Sequence, residues 1–387
     1  MKPPLKALLE GFGLVVGGLG TFCCYEIYTE NQKFYANCFM PLIHKVLDAE
    51  TAHKAAVKAL AWNLLPGRKH HDDPSLRQVI WNKEFQNPVG IAAGFDKDAE
   101  AMVGLSNMGF GFIEVGSVTP LPQIGNPKPR VFRLYEDKAV INRYGFNSCG
   151  QEAAKHRLNK FDQHQCRGNI VLGVNLGKNK TSTDDVADYI TGVRQLGKYA
   201  DYIVINVSSP NTAGLRNLQQ KKRLETLCKA ILQERDKLVN KPPVLVKIAP
   251  DLSDDDKQDI AKVVLECNVE GLIVSNTTVR RPESLRSVHK KEVGGLSGLP
   301  VRDVSTKLIS EMYQLTEGKV PIIGVGGISN GTEAYEKIKA GASLVQIYTA
   351  LVYGGPPVLT NMKKDLVEHL HKDGYENISQ AIGAVHQ

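Results

Sequence analysis

The chain has 387 residues, 42% of them apolar, and a net charge of +7; it can bury a full core and is too apolar for global disorder. Its densest basic runs, Lys69–His70–His71 and Lys221–Lys222–Arg223, lack the length and interleaved aromatics of a nucleic-acid-binding face, so the mild positive excess suits a small anion or an anionic membrane surface. The 7 cysteines are odd in number, irregularly spaced and free of any C-x-x-C pair, which argues against a disulfide framework and a structural zinc site.

The first element is the uncharged stretch 11–25, GFGLVVGGLGTFCCY. As a helix it covers only ~22 Å of a ~30 Å hydrocarbon core, but extension to Ala7 and Tyr28 reaches spanning length with Glu10 and Glu26 near the interfaces. Gly13 and Gly17 form a small-xxx-small pair. Lys2 and Lys6 precede the stretch and no clear A-x-A cleavage site follows it, so residues 1–30 are expected to be a targeting segment and an uncleaved single transmembrane helix.

Segments 31–47 and 52–65 carry apolar residues at helical spacing, with Asp48–Ala49–Glu50–Thr51 as turn and N-cap and Pro66–Gly67 as the stop. Residues 31–68 therefore predict a small helical hairpin. The linker RKHHDDP follows, and a main domain is expected over 74–387.

Within that domain eight Val- and Ile-rich runs recur at 89–94, 112–116, 170–176, 202–207, 244–248, 271–275, 322–326 and 344–348. Helical patterns at 184–197, 218–238, 253–267, 301–313 and 331–340 alternate with them. Continuous apolar strands between helices mean a parallel sheet buried on both faces, and this many predict an α/β fold closed as a (β/α)8 TIM barrel. Segment 119–165 is too long for a plain connection and predicts an insertion over the active face.

Barrels of this kind place chemistry at the C-terminal strand ends. Those ends are rich in Asn, Ser, Thr and Lys, hold no His and only one acid, Asp96, so no metal site is expected. Such groups suit a planar ligand with many acceptors, such as a flavin or a pyrimidine. Gly324–Val325–Gly326–Gly327 and Tyr348–Thr349 fall where barrels bind phosphate, while the G-x-G-x-x-G fingerprint of dinucleotide sites is missing. Lys97 and Lys247 end strands, where an unpaired ammonium is costly. Lys247 is placed either to stabilise negative charge on a reduced flavin or to pair with Asp251 or Asp96.

The blocks AAGFDK (92–97), NRYGFNS (142–148), GVNLGKNK (173–180), NVSSPNT (206–212), VKIAPDL (246–252), SNTT (275–278), GGLSG (294–298), GVGGI (324–328) and QIYTAL (346–351), together with the N-terminal hairpin, resemble in order the quinone-linked (class 2) dihydroorotate dehydrogenases of mitochondrial type. The resemblance implies oxidation of (S)-dihydroorotate to orotate in pyrimidine (UMP) biosynthesis, with FMN as bound cofactor and ubiquinone as acceptor, at the mitochondrial inner membrane. No protein partner is legible.

By the same resemblance Ser209 is the catalytic base, a serine where the soluble classes carry cysteine. Ala92, Ala93, Gly94, Ser117, Asn142, Asn175, Asn206, Lys247, Ser275, Ser297, Gly298, Gly327, Tyr348 and Thr349 match cofactor contacts, Ser275 standing where relatives often have Thr. Lys97, Asn142, Tyr144, Gly145, Phe146, Asn206, Asn211, Asn276 and Thr277 match substrate contacts. The hairpin is implied to be a quinone tunnel, with apolar walls Met40, Ile43, Ala56, Leu64 and Leu65, polar positions His53 and Arg133, and Tyr348 at the flavin end. His44 replaces a glutamine of relatives and Ala59 a phenylalanine, which implies a roomier tunnel with a titratable mouth. The rivals are a non-catalytic FMN barrel, against which Ser209, Lys97 and Lys247 stand together, and a nicotinamide-linked flavin barrel, against which the missing fingerprint and the expected anchor stand.

Overall fold

The computed structural model describes residues 3–64 and 72–386. The eight expected runs form β1 (Val89–Ile91), β2 (Phe112–Val118), β3 (Val171–Leu176), β4 (Tyr202–Asn206), β5 (Val244–Ile248), β6 (Gly271–Val274), β7 (Ile322–Val325) and β8 (Leu344–Ile347). Each pairs in parallel with the next, and β8 returns to β1, so the sheet closes as a barrel in sequence order. Helices Asp185–Leu196, Lys221–Arg235, Asp254–Glu266, Arg302–Leu315 and Gly331–Lys339 match the predicted patterns.

The N-terminal end of the barrel is plugged. A hairpin, Gln78–Ile80 with Lys83–Phe85, turns through Trp81 and Asn82 at positive φ. Its Ile80 and Phe85 pack on Phe112, Tyr202, Leu245 and Ile323 inside the barrel. The large rings fit because glycines face them: a Cβ on Gly90 would stand 2.4 Å from the Phe112 ring, and one on Gly173 2.1 Å from that of Tyr202. With this end filled by apolar groups, the polar strand ends open only at the opposite mouth.

Over that mouth lies a three-stranded antiparallel sheet. Val131–Leu134 and Ala139–Asn142 form a hairpin inside the expected insertion, and Gly295–Gly298, from the β6–β7 connection, pairs with its second strand. The insertion is shorter than expected from the sequence. Helix Gln151–Asp162 is the barrel helix following β2, so the added chain ends before it.

The helical hairpin also forms. A composite helix covers 32–46, with one π-helical turn at Tyr35–Phe39, and the second helix is Ala49–Ala61. Asp48 caps the second helix as expected, its carboxylate accepting from the backbone N–H of Glu50 and Thr51 at 3.0 and 3.1 Å. That helix stops at Ala61 rather than at 65, in a turn with Asn63 at φ 54°. Leu65 and Pro66–Gly67 lie outside the described residues.

A first helix, α1 (Pro3–Tyr28), precedes the hairpin, but among the described residues no helix is long and apolar enough to cross a membrane. The expected transmembrane helix is thus not shown among the described residues.

Candidate active site

One cavity of about 860 Å³ joins the C-terminal mouth of the barrel to the space between the hairpin helices. Lys97, Arg133, Lys138 and Lys247 line it, and among the described residues no Asp or Glu does. Its field therefore favours anions. No group of three or more His, Cys, Asp or Glu among the described residues is placed to hold a metal.

At the strand ends the amides and hydroxyls form one network. Asn206 Nδ2 donates to Ser117 Oγ at 2.9 Å, and Asn276 Nδ2 donates to Asn206 Oδ1 and Ser208 Oγ at 3.2 and 3.0 Å. Asn211 Nδ2 reaches Asn142 Oδ1 at 3.2 Å. Ala92, Ala93, Gly94, Gly145, Phe146, Ser275 and Thr277 complete this part of the wall. Asn175 does not reach it. It is fully buried beneath Ser117, whose hydroxyl donates to it, so it can bear on a ligand only through Ser117.

Ser209 also lines the cavity, on the loop after β4. Its Oγ accepts from the Asn211 backbone N–H at 3.4 Å and has no imidazole or carboxylate partner among the described residues. Arg216 braces this loop, donating to Ser208 O at 3.1 Å, to Thr277 O at 3.0 Å and to Asp251 at 2.8 Å.

Lys247 pairs with neither acid suggested by the sequence. Asp251 is taken by Arg216, and Asp96 accepts the N–H groups of Glu100 and Ala101. The ammonium lies 3.8 Å from Glu114, a fully buried carboxylate on β2. Glu114 also accepts from Asn175 at 2.8 Å, Gln346 at 2.6 Å and Tyr202 at 3.3 Å, so its charge is matched by four donors. Burial lowers the Lys247 pKa while Glu114 opposes the shift. Glu114 was legible in principle: a charged residue inside the run FIEVGSV poses the question that Lys247 posed in VLVKI.

Ser297, Gly298, Gly327, Tyr348 and Thr349 surround a separate recess of the same cavity. Gly326 and Gly327 have φ of 115° and 72°, and a Cβ on Gly327 would stand 2.5 Å from the Arg302 backbone nitrogen. This close approach brings the loop against the start of helix Arg302–Leu315, which has no side-chain cap. The Arg302 N–H donates to Leu299 O and the Leu299 N–H to Lys138 O, so it is the open backbone of the two glycines, rather than free N–H groups of this helix, that leaves room for a phosphate. Recess and amide-lined mouth together fit a phosphorylated, planar cofactor.

The hairpin half is apolar. Met40, Ile43, Ala56, Ala59 and Leu64 line it, with His44, His53 and Arg133 as polar groups. His53 gives its Nε2 proton to Phe95 O at 2.7 Å, which leaves Nδ1 to accept from Tyr144 Oη at 3.2 Å; Tyr348 Oη stands 3.4 Å from Nε2. Lys97 Nζ lies 4.0 Å from the centre of the Tyr144 ring, and burial lowers its pKa to about 8. Burial likewise lowers His53 to about 4, and burial with the nearby Arg133 charge brings His44 to about 4. Both histidines are therefore neutral at physiological pH. Arg133 is engaged in holding the hairpin, donating to the carbonyls of His44, Leu47 and Asp48 at 3.3, 2.9 and 3.1 Å. A second clamp, missed in the sequence, is the buried fork of Arg130 on Glu50 at 3.0 and 2.9 Å. Burial alone would raise the Glu50 pKa, but Arg130 and Lys54 outweigh it and bring it to about 2.

A closed barrel with such a mouth belongs with the (β/α)8 enzymes that act on small anions at the C-terminal ends of their strands. The chain belongs to the dihydroorotate dehydrogenase family, whose model, described as Dihydroorotate dehydrogenase, matches residues 75–370. It is an oxidoreductase of that family's quinone-linked, mitochondrial type. A mouse protein named dihydroorotate dehydrogenase (quinone), mitochondrial, is 54% identical over 387 residues, covering 99% of this chain and 98% of its own. The Rhodospirillum rubrum protein named dihydroorotate dehydrogenase (quinone) is 51% identical, over 88% of this chain and 92% of its own. The solved structure of the Eimeria tenella enzyme in complex with ferulenol is similar at a TM-score of 0.86 and 46% identity, covering 88% of this chain and 96% of that one.

Proposed function

We propose that the chain oxidises (S)-dihydroorotate to orotate with FMN as its bound redox group, delivers the electrons to ubiquinone, and serves pyrimidine biosynthesis at the mitochondrial inner membrane. The observation that carries this reading is the single cavity, cationic and amide-lined at the barrel mouth and apolar between the hairpin helices. Gly326 and Gly327 would hold the cofactor phosphate, and Ser117, Asn206, Ser275 and Lys247, which line the same cavity, would hold its ring.

Lys97 and the amides of Asn142, Asn206, Asn211 and Asn276 bind the substrate carboxylate and carbonyls. With its pKa at about 8, Lys97 remains mostly charged at neutral pH. Ser209 Oγ takes the C5 proton. A serine is a weak base, so the charge that builds on the substrate as this proton leaves must be met by Lys97 and the amides. FMN, when bound, supplies the acceptor for the C6 hydride and the route of its electrons to quinone. Two half-reactions of one cavity need a wall that keeps water out, and Phe95, Tyr144 and Tyr348 supply apolar surface between its halves.

Residues 1–30 and 31–68 act as the membrane-facing part of the chain and 74–387 as the catalytic barrel. Phe12, Val16, Leu19 and Phe22 of α1 and Leu42, Val46, Trp62 and Leu64 of the hairpin are exposed apolar groups, a surface suited to lipid. Quinone then enters between the helices. Anaerobic addition of dihydroorotate to the purified protein should bleach its visible flavin bands, and a short-tailed quinone should restore them. A colourless or unresponsive protein would overturn the reading.

A further inference from the structure

Lys337, on helix Gly331–Lys339, is completely buried, yet among the described residues no carboxylate lies within ion-pairing distance of its ammonium. Three other buried cations do have such partners: Lys247 has Glu114, Lys363 has Asp72 and Arg130 has Glu50. Lys337 Nζ donates instead to three neutral oxygens, Ser305 Oγ at 2.6 Å, Thr306 Oγ1 at 2.8 Å and Arg302 O at 3.2 Å. A buried ammonium without an anion is costly. Its surroundings indicate where the missing anion belongs.

The three acceptors all lie within the first five residues of helix Arg302–Leu315. Ser305 Oγ is also 2.8 Å from Gly326 O, and Arg302 is the residue against which Gly327 packs. Lys337 thus reaches both halves of the recess, the glycine loop through Ser305 and the helix start through Arg302. It stands behind the recess with one layer of protein between.

We propose that Lys337 is a positioning residue for the cofactor phosphate, placing an uncompensated positive charge behind the recess and fixing the Gly326–Gly327 loop against the Arg302 turn. The proposal rests on the FMN reading above and assigns the lysine an electrostatic share in holding the phosphate ester, separate from contacts to the flavin ring. Burial lowers the Lys337 pKa to about 7. Glu333 and Glu336 on its own helix and Asp303 on the facing one oppose that shift, and Arg302 adds to it. Helix Pro357–Asp373 presents Asp365, His369 and Asp373 to other residues of the Lys337 helix. A bound dianion favours the charged lysine.

The test compares two ligands that differ only in the phosphate. The full chain, stripped of flavin, is titrated with FMN and with riboflavin by fluorescence quenching, as wild type and as Lys337→Met. The variant should raise the FMN Kd by about tenfold or more, the scale of one charge-assisted contact, and leave riboflavin within about twofold. Equal weakening of both ligands would mean a packing role and overturn the proposal, as would no change in either. A wild type that binds neither flavin would fail the FMN reading itself, a distinct result. Should Lys337→Met not fold, the wild type decides. Its preference for FMN over riboflavin should fall by up to about tenfold per unit between pH 7 and 9, as the free lysine loses its proton while the phosphate, with its second pKa near ~6, remains a dianion. The ratio cancels Lys247, which is assigned to the ring shared by both ligands, and Lys97, which is assigned to the substrate side. A flat ratio over that range would overturn the proposal.

Discussion

The phenol oxygen of Tyr144 lies 3.2 Å from Nδ1 of His53, a bond between the insertion over the barrel mouth and the second hairpin helix. Lys97 stands over the face of the same tyrosine ring. One aromatic side chain therefore has the substrate-side lysine on its face and the tunnel-side histidine on its edge, where the cavity changes from polar to apolar.

That arrangement predicts a split phenotype. His53→Ala should leave the rate of flavin bleaching by dihydroorotate within about twofold, while kcat/KM for a short-tailed quinone falls roughly tenfold, the worth of one or two lost hydrogen bonds. Stopped-flow reduction and steady-state quinone assays read the two halves separately. Equal loss in both would mean that His53 holds the whole mouth together.

Acid stability follows with a definite sign. Burial lowers the His53 pKa to about 4, below the ordinary 6.5. Between those values the unfolded chain binds a proton that the folded chain refuses, so stability falls as pH drops from 6.5 towards 4 and is flat above. Glu50 acts in a lower window: its folded pKa of about 2 lies below the ordinary 4.5, so its contribution is present above 4.5 and fades towards 2. Melting temperatures of the wild type and His53→Gln across pH 4–7 should converge on acidification if the two fold alike. A constant gap would show that His53 titrates normally in the folded protein.

The barrel was legible because strands buried on both faces read as unbroken apolar runs, whose spacing does not depend on distant partners. Lys97 and Lys247 stand out in the sequence because lysines closing such runs have few structural uses, whereas Ser209 is assigned by resemblance to the family. What escaped depends on pairing across the chain. Gly295–Gly298 reads as a loop until Ala139–Asn142 lies beside it. Arg130 looks like a surface cation until Glu50, 80 residues away, meets it. Lys337 sits in EKIKAG like any helix-face lysine, and only packing reveals it as buried. Asn175 differs in the other direction: resemblance implies a ligand contact, and its side chain is bonded to Ser117 beneath the cavity wall.

Ser209→Ala should retain its cofactor and reduce it with dihydroorotate about 10²-fold or more slowly, as expected for loss of a general base, and Ser209→Cys should keep part of the rate. The side chain has no imidazole or carboxylate partner to substitute for it, so no neighbour can restore the wild-type rate. Reduction at the native rate in Ser209→Ala would place the base elsewhere.

Lys247 and Glu114 should behave as a coupled pair. Lys247→Met leaves a carboxylate at full burial with only neutral donors, and Glu114→Gln leaves the ammonium alone. Each single change should cost about 3–5 kcal/mol of unfolding free energy, and the double variant less than the sum. Loss of the lysine charge should also lower the flavin potential and weaken cofactor retention. Additive stabilities in the cycle, with an unchanged potential in Lys247→Met, would reduce the pair to coincidental neighbours.

The hairpin prediction turns on how the element is held. Helices as short as these are marginal alone in water and must dock to persist. Here the docking is polar and specific: Arg130 grips Glu50 on the second helix, and Arg133 takes the carbonyls that end the first. The apolar faces are thereby left to line the cavity. Removing residues 1–30 spares both clamps, so that protein should fold, lose affinity for lipid vesicles and still saturate with short-tailed quinones. Removing residues 1–68 strips the tunnel while the barrel, its cofactor recess and Ser209 remain. Dihydroorotate should then still bleach the flavin, but quinone reduction should become linear in quinone concentration. Arg130→Ala is the gentler version, since an uncompensated Glu50 should loosen the hairpin and raise the quinone KM several-fold with bleaching unchanged. Normal quinone saturation after the longer deletion would place the quinone site on the barrel itself.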